Sequence, residues 1–288
     1  MSAQLLEGRT IAGKIKEDLK KEIEALSKSK GAVPRLVSIQ AGENAASAVY
    51  IKSQKKNAEN LGIEYMLETL DSNITQDSLL DLIEGLNKDK GVSGIIVQLP
   101  LPKGIDHRVV MSAISPEKDA EGMHPENLGR VLLGDATLAP CTASAAMELI
   151  KSAGVKLYGK EATIVGHSEI VGKPLSMLLL NKFVTTCVCH IATGERGLLP
   201  EHVKHAEILV VAVGKAGLVK GDWIKQGAVV IDVGINRVGD KIVGDVEFDA
   251  AKERASFITP VPGGVGPLTV TMLMKNVVAA FKMQHELK

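Results

Sequence analysis

The sequence has few cysteines, few aromatic residues and no excess of charge of either sign. Three cysteines, Cys141, Cys187 and Cys189, cannot form a disulfide framework, and no Cys/His cluster has zinc-ligand spacing. Aromatic residues are 3% of the chain, too few for a platform that stacks single-stranded nucleic acid. The 34 basic residues equal the 34 acidic ones, whereas an electrostatic nucleic-acid binder usually has a basic excess. We therefore expect no metal site and no nucleic-acid partner.

Long apolar runs are also missing. No run approaches the ~20 residues of a membrane helix, and the first residues, MSAQLLEGRT, lack the basic and apolar regions of a secretory signal. Cys187 and Cys189 alternate with Val188 in an apolar run, which is typical of a buried strand. These features predict a cytoplasmic protein with reduced thiols and no membrane partner.

Strand and helix patterns alternate along most of the 288 residues. This order predicts an α/β protein with parallel sheets covered by helices. The predicted strands are 35–40, 63–70, 94–98, 162–165, 184–189, 208–213 and 228–233. The predicted helices are a first one with its apolar face at positions 11, 15, 19, 23 and 26, followed by 47–61, 76–87, 143–152, 171–180, 200–205 and 268–283. The segment 99–130 interrupts the rhythm with four prolines, so we expect a functional loop there rather than core.

A glycine-rich turn follows the strand 162–165. Residues 166–174, GHSEIVGKP, would bring backbone N–H groups and a helix N-terminus to an anion such as a pyrophosphate. The spacing is not G-x-G-x-x-G, so a plain strand-to-helix turn stays open as an alternative. Gly214 and Gly234 end later strands and favour a ligand crevice at the same sheet edge.

Several polar residues are ambiguous when each is taken alone. Tyr50 and Gln54 share one face of a predicted helix, and Gln98 ends a strand. Tyr50 could equally be a core or interface phenol, and the Asp119–Glu121 segment could be a solvated turn. The single histidines are more typical of structural positions than of catalysis.

Taken together, the motifs resemble the methylenetetrahydrofolate dehydrogenase/cyclohydrolase family over essentially the whole chain. The matching stretches are Tyr50-x3-Gln54, QLPLP at 98–102, PEKDAEG at 116–122, HPxNxGR at 124–130, GxSx2VGxP at 166–174, GIN at 234–236 and TPVPGGVGP at 259–267. The resemblance implies two α/β lobes, with a Rossmann-like doubly wound parallel sheet in the second and a C-terminal helix that returns to the first. The implied folate lobe is 1–120 completed by 266–288, and the implied dinucleotide lobe is 140–265. Folate would lie between the lobes. The resemblance also implies a homodimer.

The resemblance also implies which residues form the site. Tyr50 would border the folate, Gln98 would orient it, and Glu121 would accept hydrogen bonds from the pterin. The implied catalytic residues are Tyr50, Gln54, Gln98 and Glu121, and the implied substrate contacts add Leu99, Asp119, Pro262 and Gly263. The implied cofactor contacts are Thr142, Gly166, His167, Ser168, His190, Ile191, Gly214, Gly234, Ile235 and Thr269.

Gln54 occupies the position of the family's catalytic lysine. Oxidation of methylenetetrahydrofolate by hydride transfer depends mainly on orientation. Hydration of the methenyl product needs a proton relay, which general catalysis accelerates ~10²–10⁴-fold. Glutamine cannot titrate, and Lys55 and Lys56 point away from that helix face. We expect a dehydrogenase with weak or absent cyclohydrolase activity; a fully bifunctional enzyme is the alternative, and a catalytically silent folate- or nucleotide-binding protein is a remote one.

Two further departures concern the ligands. Glu121 replaces the family's usual aspartate and keeps the carboxylate on a longer arm. His167 and Ile191 stand where family members that use NADP often have arginine and serine, and isoleucine donates nothing to a 2′-phosphate. NAD is therefore favoured over NADP as the cofactor, although no acidic residue ends the strand 184–189 and Arg196 lies nearby in the sequence.

Overall fold

The structure is a computed structural model that describes residues 2–42 and 44–287. The helices are α1 Gly8–Lys30, α2 Ala45–Leu61, α3 Gln76–Lys88, α4 His107–Ala113, α5 Pro125–Leu132, α6 Cys141–Ser152, α7 Gly172–Leu180, α8 Ile191–Glu195, α9 Leu199–His205, α10 Phe248–Lys252 and α11 Val265–Gln284. The strands are β1 Gln4–Leu5, β2 Arg35–Ala41, β3 Glu64–Leu70, β4 Gly94–Val97, β5 Glu161–Val165, β6 Thr185–Cys189, β7 Ile208–Val211, β8 Val229–Asp232, β9 Asn236–Val238, β10 Lys241–Val243 and β11 Phe257–Ile258.

The chain divides into two compact units. The N-terminal unit comprises Lys14–Arg130, Ala136–Cys141 and Val270–Lys288, and the C-terminal unit comprises Met1–Gly13, Val131–Asp135 and Thr142–Thr269. Among the described residues, no helix has both the length and the apolar character needed to cross a membrane.

The N-terminal unit is built on a parallel sheet in the order β3-β2-β4. β2 is its central strand, and Leu36, Val37 and Ile39 are fully buried, as the apolar run of an internal parallel strand requires. Helix α3 begins where Thr75 Oγ1 accepts a hydrogen bond from the Ser78 amide at 3.2 Å. Its buried Leu79 and Ile83 lie four residues apart and share the apolar core of this sheet.

The expectation of a loop over 99–130 is wrong. The segment contains helix α4, a 3-10 turn at Pro116–Lys118 and the start of helix α5. Asp106 caps α4 by accepting the Arg108 amide at 2.9 Å, and Val110 and Met111 are buried in the core. Pro116 and Pro125 stand at the first positions of their helices, where proline is tolerated.

The returning C-terminal helix is confirmed within the N-terminal unit. The Asn276 side-chain amide on α11 donates to the carbonyls of Ala120 and Ala139, both at 3.0 Å. Gln284 Nε2 donates to the Ser93 carbonyl at 2.8 Å. These bonds tie the last helix to the start of β4 and to the segment that carries Glu121.

The C-terminal unit contains a parallel sheet in the order β1-β11-β8-β7-β5-β6. After β5 the chain goes outward to β6 and then returns to the other side of β5 with β7. This reversal is the topological switch point of a doubly wound sheet. All residues of β7 and β8 are buried, as expected for strands covered on both faces. The Rossmann-like prediction is confirmed.

Candidate active site

Gln54 and Gln98 meet in the interior of the N-terminal unit. Gln98 follows β4, and its Nε2 donates to Gln54 Oε1 and to Ser38 Oγ, both at 3.0 Å. The Tyr65 hydroxyl donates to the same Gln54 oxygen at 3.1 Å. Gln54 is 0% exposed and Gln98 is 5% exposed. Residues from α2, β2, β3 and the end of β4 thus fix one glutamine side chain in a single orientation.

The other end of the Gln54 side chain is unsatisfied. Within residues 2–42 and 44–287, its buried Nε2 has no hydrogen-bond partner. A buried amide donor without an acceptor carries a desolvation cost of about 1–3 kcal/mol. A bound molecule that presents an acceptor to Nε2 would remove that cost.

Tyr50 lies one helical turn before Gln54 on α2 and is partly buried. Burial raises the pKa of the Tyr50 hydroxyl far above its usual value, and the neighbouring Cys141 and Glu121 raise it further, while Gln54 opposes the shift. Tyr50 is therefore a neutral phenol beside the carboxyl of Glu121. The four residues expected to be catalytic lie in this unit.

Glu121 follows the buried residues Asp119 and Ala120. Burial raises the pKa of Glu121 to about 7, with a smaller contribution from the Asp119 carboxylate. A carboxyl with this pKa exchanges a proton near neutral pH, so it can accept hydrogen bonds as an anion or donate one as an acid.

The charged groups of Asp119 and Lys118 form hydrogen bonds with other parts of the N-terminal unit. The Asp119 carboxylate accepts the amides of Gly122 and His124 at 2.9 and 2.7 Å and the Asn127 side-chain amide at 2.9 Å. Lys118 Nζ donates to the carbonyls that end helix α3, those of Leu86, Asn87 and Asp89, at 3.0, 2.8 and 2.6 Å. Both side chains therefore hold the turn that presents Glu121.

The other expected substrate contacts lie in loops of both units. Leu99 is 42% exposed, and its carbonyl accepts a hydrogen bond from Ser47 Oγ at 2.9 Å. Pro262 and Gly263 belong to the C-terminal unit. There the Gly263 carbonyl accepts the Gly8 amide at 3.0 Å, which anchors the loop to the start of α1.

The expected cofactor turn connects β5 to α7 in the C-terminal unit. Gly166 has φ of +123°, and a Cβ there would lie 2.3 Å from the Ala212 carbonyl oxygen. A Cβ on Gly172 would lie 1.9 Å from the Gly166 carbonyl oxygen. Ser168 Oγ closes the turn by accepting the Val171 amide at 3.1 Å. Only glycines allow this close backbone approach, and the resulting turn at a switch point fits a dinucleotide phosphate.

Two exposed histidines stand at neighbouring strand ends. His167 follows β5 by two residues, His190 follows β6 directly, and their ring centroids are 5.5 Å apart in an edge arrangement. Ile191 begins α8 and is 77% exposed. The remaining expected cofactor contacts outside the glycine turns are Ile235, Thr142 and Thr269. Ile235 is exposed, whereas Thr142 on α6 and Thr269 on α11 are partly buried.

The sequence reasoning missed two aspartates that organise this sheet edge. The Asp245 carboxylate accepts the amides of Val213, Gly214 and Lys215 at 2.7, 2.9 and 2.8 Å, and the Asn236 side-chain amide at 2.8 Å. Asp232 accepts the amides of Gly234, Asp245 and Val246 at 2.9–3.0 Å. Burial raises the pKa of Asp232 to about 6 although these amides oppose the shift. An aspartate at the end of the apolar run 229–232 was the available signal.

The C-terminal unit therefore has the sheet and glycine turn of a dinucleotide-binding fold, and the N-terminal unit has a buried polar cluster with an unsatisfied donor. These are the parts of a nicotinamide-dependent oxidoreductase. The chain belongs to the tetrahydrofolate dehydrogenase/cyclohydrolase family: the model of its catalytic domain matches residues 6–121 and that of its NAD(P)-binding domain matches residues 140–285. The resemblance described from the sequence is confirmed.

Relatives cover the full chain. This chain is 51% identical over 289 residues to the bifunctional protein FolD of Acetivibrio thermocellus, and the match covers 100% of both chains. It is 49% identical over 283 residues to the bifunctional protein FolD of Bacillus pumilus, and that match covers 98% of this chain and 99% of the relative. The FolD crystal structure from Campylobacter jejuni superposes with a TM-score of 0.94 at 44% identity, covering 98% of this chain and 99% of that one. A Trypanosoma brucei FolD structure, complexed with NADP and an inhibitor, also gives 0.94, at 40% identity and 98% of each chain.

Proposed function

We propose that this protein oxidises 5,10-methylenetetrahydrofolate to the 5,10-methenyl cation with NAD(P)⁺. The observation that carries the proposal is the cluster of buried Gln54 and Gln98 with partly buried Tyr50 and Glu121 in a chain of this family, with the Gln54 donor left for a ligand. Bound NAD(P)⁺ supplies a hydride acceptor. The residues proposed to hold it are Gly166, Ser168, Gly214 and Gly234, with the other expected cofactor contacts around them.

The roles of the folate-facing residues follow from their bonding. The Gln54 Nε2 would donate to an acceptor atom of the folate, and Gln98 holds Gln54 for that contact. Glu121 would accept from pterin N–H groups, a pattern suited to a carboxylate. Tyr50 would border the ring. When the methylene carbon loses a hydride, the adjacent nitrogen lone pairs stabilise the cation, so this step needs orientation and no protein proton carrier.

Two versions of the proposal differ in the hydration step: a fully bifunctional enzyme, and a dehydrogenase with weak cyclohydrolase activity. The relatives named bifunctional favour a fully bifunctional enzyme over the expectation of weak cyclohydrolase activity. The specific observation for weak activity is Gln54, because the attacking water must lose a proton and a ring nitrogen must gain one. An amide whose oxygen accepts two hydrogen bonds cannot relay that proton. In the bifunctional version, Glu121 is the titrating group within the cluster.

One spectrophotometric assay tests both steps. Purified protein with methylenetetrahydrofolate and NAD⁺ should produce reduced cofactor and methenyl product together. Failure to form reduced cofactor with either NAD⁺ or NADP⁺ would refute the dehydrogenase. Persistence of the methenyl absorbance supports weak cyclohydrolase activity, and rapid enzyme-dependent decay supports the bifunctional version.

NAD is the proposed cofactor over NADP. Ile191 is exposed where a 2′-phosphate donor would stand, and the neighbouring position His167 carries an imidazole rather than a guanidinium. Initial rates with NAD⁺ and NADP⁺ at equal concentration test this choice, and a large NADP⁺ preference would overturn it. We also propose a homodimer, which rests on the family resemblance and is tested by light scattering.

A further inference from the structure

Three ligating side chains converge in the C-terminal unit, on the strand that follows the glycine turn and its helix and on helix α9. Cys187 and Cys189 lie on β6, and His202 lies on α9. The Cys187 Sγ is 3.4 Å from His202 Nδ1. The two sulfurs and one ring nitrogen all lie within 4.8 Å of one another. Both cysteines are free thiols.

The surrounding structure holds these side chains in place. Residues two apart on a strand project from the same face, so both thiols point toward α9. The Thr163 hydroxyl on β5 donates to the His202 carbonyl at 2.9 Å, which fixes the backbone of that histidine against the sheet. The next residue, Val203, is fully buried in the apolar core that also includes Cys189. The three donors are therefore arranged by the fold before any ion arrives.

The donor set and its spacing suit a soft divalent cation. In a tetrahedral zinc site with Zn–S of about 2.3 Å and Zn–N of about 2.0–2.1 Å, a sulfur and a nitrogen ligand are roughly 3.6 Å apart. The contact between Cys187 and His202 already has that separation. Cys189 is buried, whereas Cys187 and His202 are partly exposed, so an ion could enter from the exposed side and keep a water molecule as its fourth ligand.

We propose that Cys187, Cys189 and His202 form a binding site for Zn²⁺ or a similar thiophilic divalent ion. Each thiol that binds loses its proton to solvent, and neutral His202 binds through Nδ1, so no oxidant or reductant takes part. The site borders the proposed cofactor turn, because the Cys189 carbonyl accepts the Gly166 amide at 2.9 Å and His190 follows Cys189 directly. A pair of thiols that only fills the core, without an ion, is the competing interpretation.

Cobalt is the probe. The full-length protein is reduced, freed of metal and titrated with Co²⁺ without oxygen. A sulfur-to-cobalt charge-transfer band should develop in the near ultraviolet and saturate at one ion per chain. Added Zn²⁺ should displace the cobalt and abolish the band. Outer-sphere changes alone weaken metal binding 10–100-fold, so His202→Ala and Cys187→Ser should weaken Co²⁺ binding by about tenfold or more. Both variants alter partly exposed side chains, and their unfolding midpoints in a chelator check that they fold.

Two matched variants provide controls. His205→Ala removes an exposed imidazole one turn along the same helix, and Cys141→Ser removes the remaining thiol. Both should keep the wild-type band and affinity. The proposal is overturned if the wild-type protein gives no thiolate band, if the band is unchanged in folded His202→Ala and Cys187→Ser, or if either control loses it.

Discussion

Gln98 donates its side-chain amide to Oε1 of Gln54 at 3.0 Å, and the Gln54 Nε2 has no hydrogen-bond partner in residues 2–42 and 44–287. The oxygen end is saturated by Gln98 and Tyr65. The position that would hold a family lysine therefore carries a fixed hydrogen-bond donor instead of a titrating amine. This difference separates the alignment of the substrate, which a donor can support, from proton relay, which it cannot.

Replacing Gln54 with lysine should accelerate hydrolysis of the methenyl product. A lysine at this position can relay a proton, and such catalysis contributes ~10²–10⁴-fold. The decay rate of methenyl absorbance measures the change. Lys56→Gln, an exposed change on the same helix, is the control and should leave both activities unchanged. If the wild-type enzyme hydrolyses the methenyl product rapidly and Gln54→Lys adds nothing, the weak-cyclohydrolase version is wrong.

Replacing Glu121 with glutamine should raise the folate KM roughly 10–100-fold. A hydrogen bond to a charged group contributes about 1.5–3 kcal/mol, and the amide keeps the size of the side chain but loses the charge. The KM of the nicotinamide cofactor should stay unchanged. Steady-state kinetics with each substrate varied in turn measures both values. Equal weakening of folate and cofactor binding would instead indicate a structural role for Glu121.

The same variant should alter the dependence of stability on pH. The pKa of Glu121 is raised from 4.5 to about 7 in the folded protein, so protonation of its carboxyl favours folding. This contribution is fully present below pH 4.5 and is lost as pH rises through about 7. Between pH 5 and pH 8, roughly, the wild-type unfolding midpoint should fall relative to that of Glu121→Gln. Glu24→Gln, at an exposed site on α1, should follow the wild type, and a constant difference between wild type and Glu121→Gln would contradict the argument.

Gly166→Ala should impair cofactor binding or folding of the C-terminal unit. Its Cβ would lie 2.3 Å from the Ala212 carbonyl oxygen at a φ of +123°, so the backbone of the turn must shift. We expect the cofactor KM to rise at least about tenfold, or the unfolding midpoint to fall by several degrees. Gly194→Ala on α8 has open space around the new Cβ and is the control. A Gly166→Ala enzyme with wild-type KM and midpoint would show that the turn tolerates a side chain.

Asp245→Asn should weaken cofactor binding through the loops that Asp245 holds. The amide keeps one acceptor oxygen but loses the charge and the second acceptor, while four donors face this carboxylate. We expect a cofactor KM raised about tenfold with a smaller change in the folate KM. Asp240→Asn, exposed between β9 and β10, is the control. A folate KM that rises as much as the cofactor KM would argue against a local role.

The segment 116–122 shows how far motif reasoning reached. As one motif, it placed Asp119 and Glu121 together as substrate contacts. In the folded chain, Lys118 and Asp119 hold helix ends and turns, and Glu121 has the perturbed carboxyl beside Tyr50. Their partners Leu86 and Asn127 come from separate stretches of sequence. The motif alone therefore did not reveal which charged side chains are hydrogen-bonded within the protein.

The cluster of Cys187, Cys189 and His202 is likewise formed by residues from separate stretches of sequence. Its spacing in the sequence does not match a zinc motif, because one ligand lies 13 residues beyond the nearer cysteine on another element. The pairing of α9 with the face of β6 creates the cluster.

The sequence by itself determined the alternation of strands and helices, the glycine turn after β5 and the family, because these depend on periodicity and on residue types at fixed local spacing. It also determined that position 54 cannot titrate, since that is a property of glutamine alone. The tertiary structure decided which polar atoms are already bonded, which carboxyls are buried and which donor is left for a ligand. Those properties depend on partners and desolvation supplied by elements distant in the chain, and no local pattern records them.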